Sequence, residues 1–150
     1  MDNIVAGIDI GLHGSCCIYL NGKYYAYKPM EYVQLFKRFD GIPISVYIEQ
    51  IHAFPGMASK TLWSMAEEYG RVLGIMETLD IPITFVTAQK WQRDLDLPKK
   101  QDYTQRKENL FLKAKELFPN EPVFKYNADS YLICRYGIKD MDNEAEKTRS

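Results

Sequence analysis

No stretch of this 150-residue chain holds the ~20 consecutive apolar residues that a bilayer-spanning helix needs, so no membrane role is expected. The first residues carry no basic-then-apolar export pattern, and a cytoplasmic location is the expectation. Cysteine is scarce: Cys16, Cys17 and Cys134 make an odd number with no C-x-x-C spacing. That argues against a disulfide framework or a cysteine-rich zinc site, and a reducing compartment is the simpler expectation. Adjacent Cys16 and Cys17 should point to opposite faces of a strand. Histidine is scarcer still; His13 and His52 are expected in structural or surface roles. No internal repeat, low-complexity segment or linker divides the chain. One domain is expected, spanning 1–137, with a polar tail over 138–150.

What is present is ordinary in amount and uneven in placement. The chain is 46% hydrophobic and 26% charged, as for a globular protein with a packed core. Its net charge is −1, which by itself does not point to nucleic acid. Yet eight basic residues lie between positions 90 and 115, against four acidic ones. These are Lys90, Arg93, Lys99, Lys100, Arg106, Lys107, Lys113 and Lys115. A basic stretch on an acidic body suits a phosphate-facing surface, although a solvated helix face has the same composition.

The first third reads as strands. The run from Ile4 to Ile10 is β-branched and apolar and stops at Gly11; a second run covers 15–20. Asn21-Gly22 is a strong hairpin signal, because a type I′ turn needs φ > 0 at both positions. A third strand then covers 23–28. Apolar spacing predicts a helix over 31–39, a strand over 45–51 and a long helix over 59–79. A strand over 83–86 and helices over 89–95 and 103–117 follow, with a loop around Pro98-Lys99-Lys100. The last helix is expected over 128–136, with Gly137 as its stop. The expected fold is α/β, a five-stranded mixed sheet led by a three-strand antiparallel meander and flanked by helices.

Two of these strands carry an acid near the C-terminal end. Asp9 interrupts Gly7-Ile8-Asp9-Ile10-Gly11, and Glu49 interrupts Tyr47-Ile48-Glu49-Gln50-Ile51. A buried carboxylate is costly unless it is paired or bound to a metal. Asp129 lies in the first turn of the last helix, where the helix dipole favours an acid in any case. Three such oxygen donors suit one or two hard divalent cations, with Asp9, on the central strand, placed to serve both. Gly7, Gly11 and Gly14 leave little bulk around Asp9, so a phosphate backbone can approach.

Those two strings, together with Asn127-Ala128-Asp129-Ser130, resemble the three acidic motifs of the RuvC family of Holliday-junction resolvases. The order of elements between them is similar as well, and the resemblance runs from Ile4 to Tyr136. The small size and divergent loops resemble a bacteriophage version, which would work in the host cytoplasm. The resemblance implies a ribonuclease-H-like fold, a homodimer, one or two Mg²⁺ or Mn²⁺ ions per subunit, and symmetric nicking of a four-way DNA junction. It implies Asp9, Glu49 and Asp129 as catalytic metal ligands. Lys90, Arg93, Lys99, Lys100, Arg106 and Lys107 are the candidate DNA contacts, and either Arg106 or Lys107 would lie near the scissile phosphate.

One ligand of the family pattern is missing. The acid or histidine one helical turn before Asp129 is replaced by Tyr126 and Asn127. An Asn127 carbonyl oxygen, a water or the remote Glu121 are the alternatives. Ala66, Gly70 and Gly74 form a small-residue stripe that suits close packing, against the sheet or, as the resemblance implies, against a second subunit. Phe54, in the Phe54-Pro55-Gly56-Met57 loop, either stacks on an unpaired base or anchors the loop to the core. Two further classes compete. Sugar kinases and actin-like ATPases share the first motif, but they need a second domain and an Asp-x-Gly-Gly-like phosphate loop, and no such string follows Ile51. A non-catalytic binder of branched DNA is the other.

Overall fold

The computed structural model describes residues 3–11, 14–28 and 32–150. Strand β1 (Ile4–Asp9) pairs antiparallel with β2 (Ser15–Leu20), which pairs antiparallel with β3 (Lys23–Tyr27). The β2–β3 connection is the two-residue turn expected, with φ of 51° at Asn21 and 81° at Gly22. On the other side of β1 lie β4 (Ile44–Glu49) and β5 (Ile83–Val86), both parallel to it. The open sheet therefore has the order β3-β2-β1-β4-β5.

Both faces of the sheet are covered, which is why β1 and β4 read as nearly unbroken apolar runs. On one face Ala6, Ile8, Cys16, Ile18, Val46 and Ile48 pack under α1 (Tyr32–Lys37) and α2 (Ser59–Thr78). On the other, Val5, Cys17 and Tyr47 pack with residues of α3 (Ala88–Gln92), α4 (Tyr103–Leu117) and α5 (Ala128–Arg149). Cys16 and Cys17 thus face opposite cores, as their adjacency predicts; all three cysteines are free and buried. Helix α5 lies against β1, β2 and β4. Gly7 makes that approach possible, since a Cβ there would come within 2.6 Å of the Ser130 carbonyl oxygen. The glycine thus serves helix packing and leaves no room for a phosphate, contrary to the expectation for Gly7.

Other expectations are corrected as well. Helix α5 does not stop at Gly137 but runs on to Arg149. Gly137 does not take the positive φ of a helix terminator. It is there because a Cβ would lie 2.5 Å from the Tyr47 ring. The first turn beyond Gly137 is tied down where the Tyr47 hydroxyl donates to Asp140 Oδ2 at 2.9 Å.

On α2, only Val72 and Met76 are buried, with Tyr69 and Leu73 partly so. A 20-residue helix is about 30 Å long, whereas the six-residue strand β4 spans about 20 Å. The N-terminal half of α2 thus overhangs the sheet and leaves Leu62 and Trp63 exposed. Ala66, Gly70 and Gly74 face away from the sheet; a Cβ at either glycine meets nothing within 4 Å. Phe54 is 62% exposed and anchors nothing. The expected helix start at Glu31, and His13, lie outside the described residues; His52 is exposed in a loop.

Candidate active site

Parallel pairing aligns Ile8 with Ile48, so Asp9 and Glu49 follow side by side at the C-terminal ends of adjacent central strands. Ser15, opposite Asp9 on β2, donates a 2.6 Å hydrogen bond to the Ser130 hydroxyl. Ser130 in turn donates to the Asn127 carbonyl at 2.8 Å. This buried chain of hydroxyls fixes the first turn of α5 against the strand end, and with it Asp129. Three carboxylates remote in sequence are thereby brought to the C-terminal end of the two central strands.

Their charges act on one another. Burial, the Asp129 charge and, more weakly, Glu49 push the Asp9 carboxyl from 3.8 up to about 7, with Lys107 acting in the opposite direction. Glu49 is also raised, by burial first; the Trp91 hydrogen bond and the Lys107 and Arg106 charges offset part of this. Lys107 donates to Asp129 Oδ2 at 2.6 Å. Burial opposes the charge of its ammonium, but the surrounding Asp129 and Asp9 carboxylates outweigh that and raise its pKa.

These side chains do not close into a chelate. Among the described residues, no three His, Cys, Asp or Glu groups are close enough together to hold a metal ion. One oxygen of Asp129 is engaged by Lys107, and Glu49 Oε2 accepts a 2.6 Å hydrogen bond from the Trp91 indole N–H. The donor set nonetheless suits a hard divalent cation. It is all oxygen, it carries three carboxylates against the one lysine that touches them, and each bond leaves the second oxygen of its carboxylate available.

Asn127 is not an available fourth ligand. It is 1% exposed; its Oδ1 accepts from the Phe124 N–H at 2.7 Å, and its Nδ2 donates to the Pro122 carbonyl at 3.1 Å. It holds the loop before α5 in place.

Among the basic candidates, Lys107 touches the cluster and Arg106 lies close enough to bias Glu49. Lys90 sits on α3, Arg93 on the 3-10 turn that follows, and Lys99 and Lys100 on the loop before α4, all exposed. None of these four, nor Arg106, forms an ion pair among the described residues, so their charges face solvent. Trp91 went unnoticed in the sequence because an aromatic at helical spacing usually belongs to the core. It does belong there, at 3% exposure, but a buried indole N–H needs an acceptor, and Glu49 is that acceptor.

An antiparallel meander, two further strands parallel to β1 and helices on both faces define the ribonuclease-H-like fold class. Within it, the chain is similar to Thermus thermophilus RuvC in complex with a Holliday junction substrate. The TM-score is 0.60 at 16% identity, covering 87% of this chain and 90% of that one. A second structure of Thermus thermophilus RuvC gives a TM-score of 0.55 with the same identity and coverage. No protein-family model and no curated protein sequence matches the chain.

Proposed function

We propose that this chain is a divalent-cation-dependent endonuclease that cuts branched DNA, four-way junctions foremost. The observation that carries this reading is the placement of Asp9, Glu49 and Asp129 with Lys107 at the C-terminal end of the central strands, with the unpaired cations of α3 and α4 nearby. The likeness to a RuvC structure that holds a Holliday junction supports the choice of substrate. Asp9, Glu49 and Asp129 would hold the ion. When bound, a divalent cation activates water and neutralises charge on the phosphodiester. Trp91 holds Glu49 in orientation. Lys107 is placed to leave Asp129 and meet the developing negative charge of the phosphate. Lys90, Arg93, Lys99, Lys100 and Arg106 draw in the backbone without reading sequence.

A homodimer fits this function, because a two-fold junction presents equivalent strands to two subunits. The overhanging part of α2, with Trp63 72% exposed beside the small-residue stripe, supports α2 as its contact. No helix among the described residues is long and apolar enough to cross a membrane.

The test is binding and Mg²⁺-dependent nicking of one synthetic four-way junction by the wild type and Asp9→Asn. The variant should bind the junction but nick it roughly 10²–10⁴-fold more slowly, as expected for losing several kcal/mol of cation-derived stabilisation. Near-wild-type nicking by Asp9→Asn would refute the mechanism. One observation favours a second reading, a junction binder without catalysis: the carboxylates are not closed into a chelate. Tight, branch-selective binding with no nicking in Mg²⁺ or Mn²⁺ would establish that instead.

A further inference from the structure

The loop before α5 carries a feature that the carboxylate chemistry does not use. The Phe124 and Tyr126 rings lie nearly parallel, with centroids 5.9 Å apart and planes 8° apart. Both are exposed, at 54% and 37%. The ammonium of Lys28 sits 5.5 Å from the Tyr126 centroid. Single exposed aromatics are common on protein surfaces; a stacked pair with a cation beside it is a more specific arrangement. The pair is also held rigidly. Asn127, buried beneath it, binds the Phe124 amide and the Pro122 carbonyl, and the Ala128 amide donates back to Phe124 at 3.0 Å. The loop is thus ordered around two rings that it does not bury.

Its position in the fold gives the arrangement meaning. Asp9 pairs with Ser15, and Cys16 pairs with Tyr27. Lys28, one residue past the end of β3, therefore lies at the same end of the sheet as Asp9, two strands away, or about 10 Å. Tyr126 precedes Asp129 by three residues. The platform thus flanks the carboxylates on the β3 side, while Lys90 and Arg93, in the segment that follows β5 and holds Glu49 through Trp91, lie on the β4–β5 side. A strand whose phosphate lies at the carboxylates passes over the platform on one side.

We propose that Phe124 and Tyr126 form a stacking platform for an unpaired nucleobase next to the cleaved strand, with Lys28 meeting the adjoining phosphate. The aromatic faces accept any base, because every base has a flat π face. Only an unpaired base can present that face, since paired bases are already stacked. The platform would therefore select branch points and frayed ends over continuous duplex. This inference rests on the nuclease reading and deepens it by naming what recognises the branch.

The experiment measures binding of the full chain, in EDTA, to an oligo-dT single strand, a four-way junction and a linear duplex. The variants are the double substitution Phe124→Ala/Tyr126→Ala, Phe124→Trp alone, and Lys28→Ala. The double variant should lose roughly 5- to 100-fold affinity for the single strand and the junction, with duplex binding and the salt slope unchanged. Phe124→Trp should bind at least as tightly as wild type. Lys28→Ala should flatten the salt slope by about one. Both rings are exposed, so the double variant should melt close to wild type, which separates lost binding from lost folding. Wild-type affinity in the double variant overturns the proposal. So does a double variant that keeps its DNA affinity but loses self-association by sedimentation, because the rings would then serve a second copy of the chain. If wild type itself prefers none of these DNAs, the nuclease reading fails together with the platform. If wild type selects junctions and the double variant does so equally, the platform alone fails.

Discussion

Replacing Asp9 should raise the stability of the cation-free protein, and by an amount that depends on pH. Burial and the neighbouring carboxylates lift the Asp9 carboxyl from 3.8 to about 7. The folded protein therefore binds this proton more tightly than the unfolded chain does. Asp9 costs nothing below pH 4, and stability falls as pH rises through 7. At 1.36 kcal/mol per pH unit the full loss is about 4 kcal/mol, of which about 3 kcal/mol falls between pH 5 and 8.

The side-chain amide of the Asp9→Asn variant does not titrate, so the variant's stability should lack this slope. For a chain of this size, 1 kcal/mol moves the melting temperature by roughly 2–4 °C. The gap between variant and wild type should then widen by roughly 6–12 °C from pH 5 to pH 8. The assay is thermal melting of both proteins in EDTA across that range. Comparing their difference cancels the other titrating groups. Adding Mg²⁺ at pH 8 should stabilise the wild type and not the variant, since the cation takes the place of the proton. A gap that stays constant with pH would show that Asp9 is not the strained carboxylate described here, whatever the nicking assays report.

Two further outcomes are expected. Gly137→Ala should destabilise the fold by about 1–3 kcal/mol despite alanine's better helix propensity, because the new methyl would overlap the Tyr47 ring in a packed interface; chemical denaturation would measure it, and a neutral or stabilising result would mean that α5 can shift away from β4. Lys99→Ala/Lys100→Ala should leave the melting temperature unchanged and reduce the dependence of junction affinity on salt by up to about one logarithmic unit per lost contact; an unchanged slope would place that loop off the DNA.

Much of the fold is written in interactions that close within a few residues. The β2–β3 hairpin follows from Asn21-Gly22, whose positive φ angles need no help from the rest of the chain. The five strands follow from apolar runs with punctuated ends. An acid that interrupts such a run marks itself as unusual, so Asp9 and Glu49 could be picked out by position alone. Asp129 could not, because an acid in the first turn of a helix has an ordinary reason to be there. It was selected only by its resemblance to a family pattern, and the packing of α5 on Gly7 brings it to the other two.

The remaining decisions were made by partners distant in the chain. Whether Gly137 ends a helix or lets one pass depends on Tyr47, ninety residues earlier. Whether Asn127 can bind a cation depends on Phe124 and Pro122 already occupying its amide. The choice between Arg106 and Lys107 depends on which face of α4 turns toward Asp129, and only Lys107 reaches it. Whether the stripe of Ala66, Gly70 and Gly74 meets the sheet depends on which face of α2 the core takes, and Val72 and Met76 are buried there instead. Local sequence determines which conformations each segment prefers, because those preferences come from its own backbone and nearest side chains. Which groups meet, and so which carboxylate is raised, which indole finds an acceptor and which rings stay uncovered, is decided when segments far apart in the chain pack together.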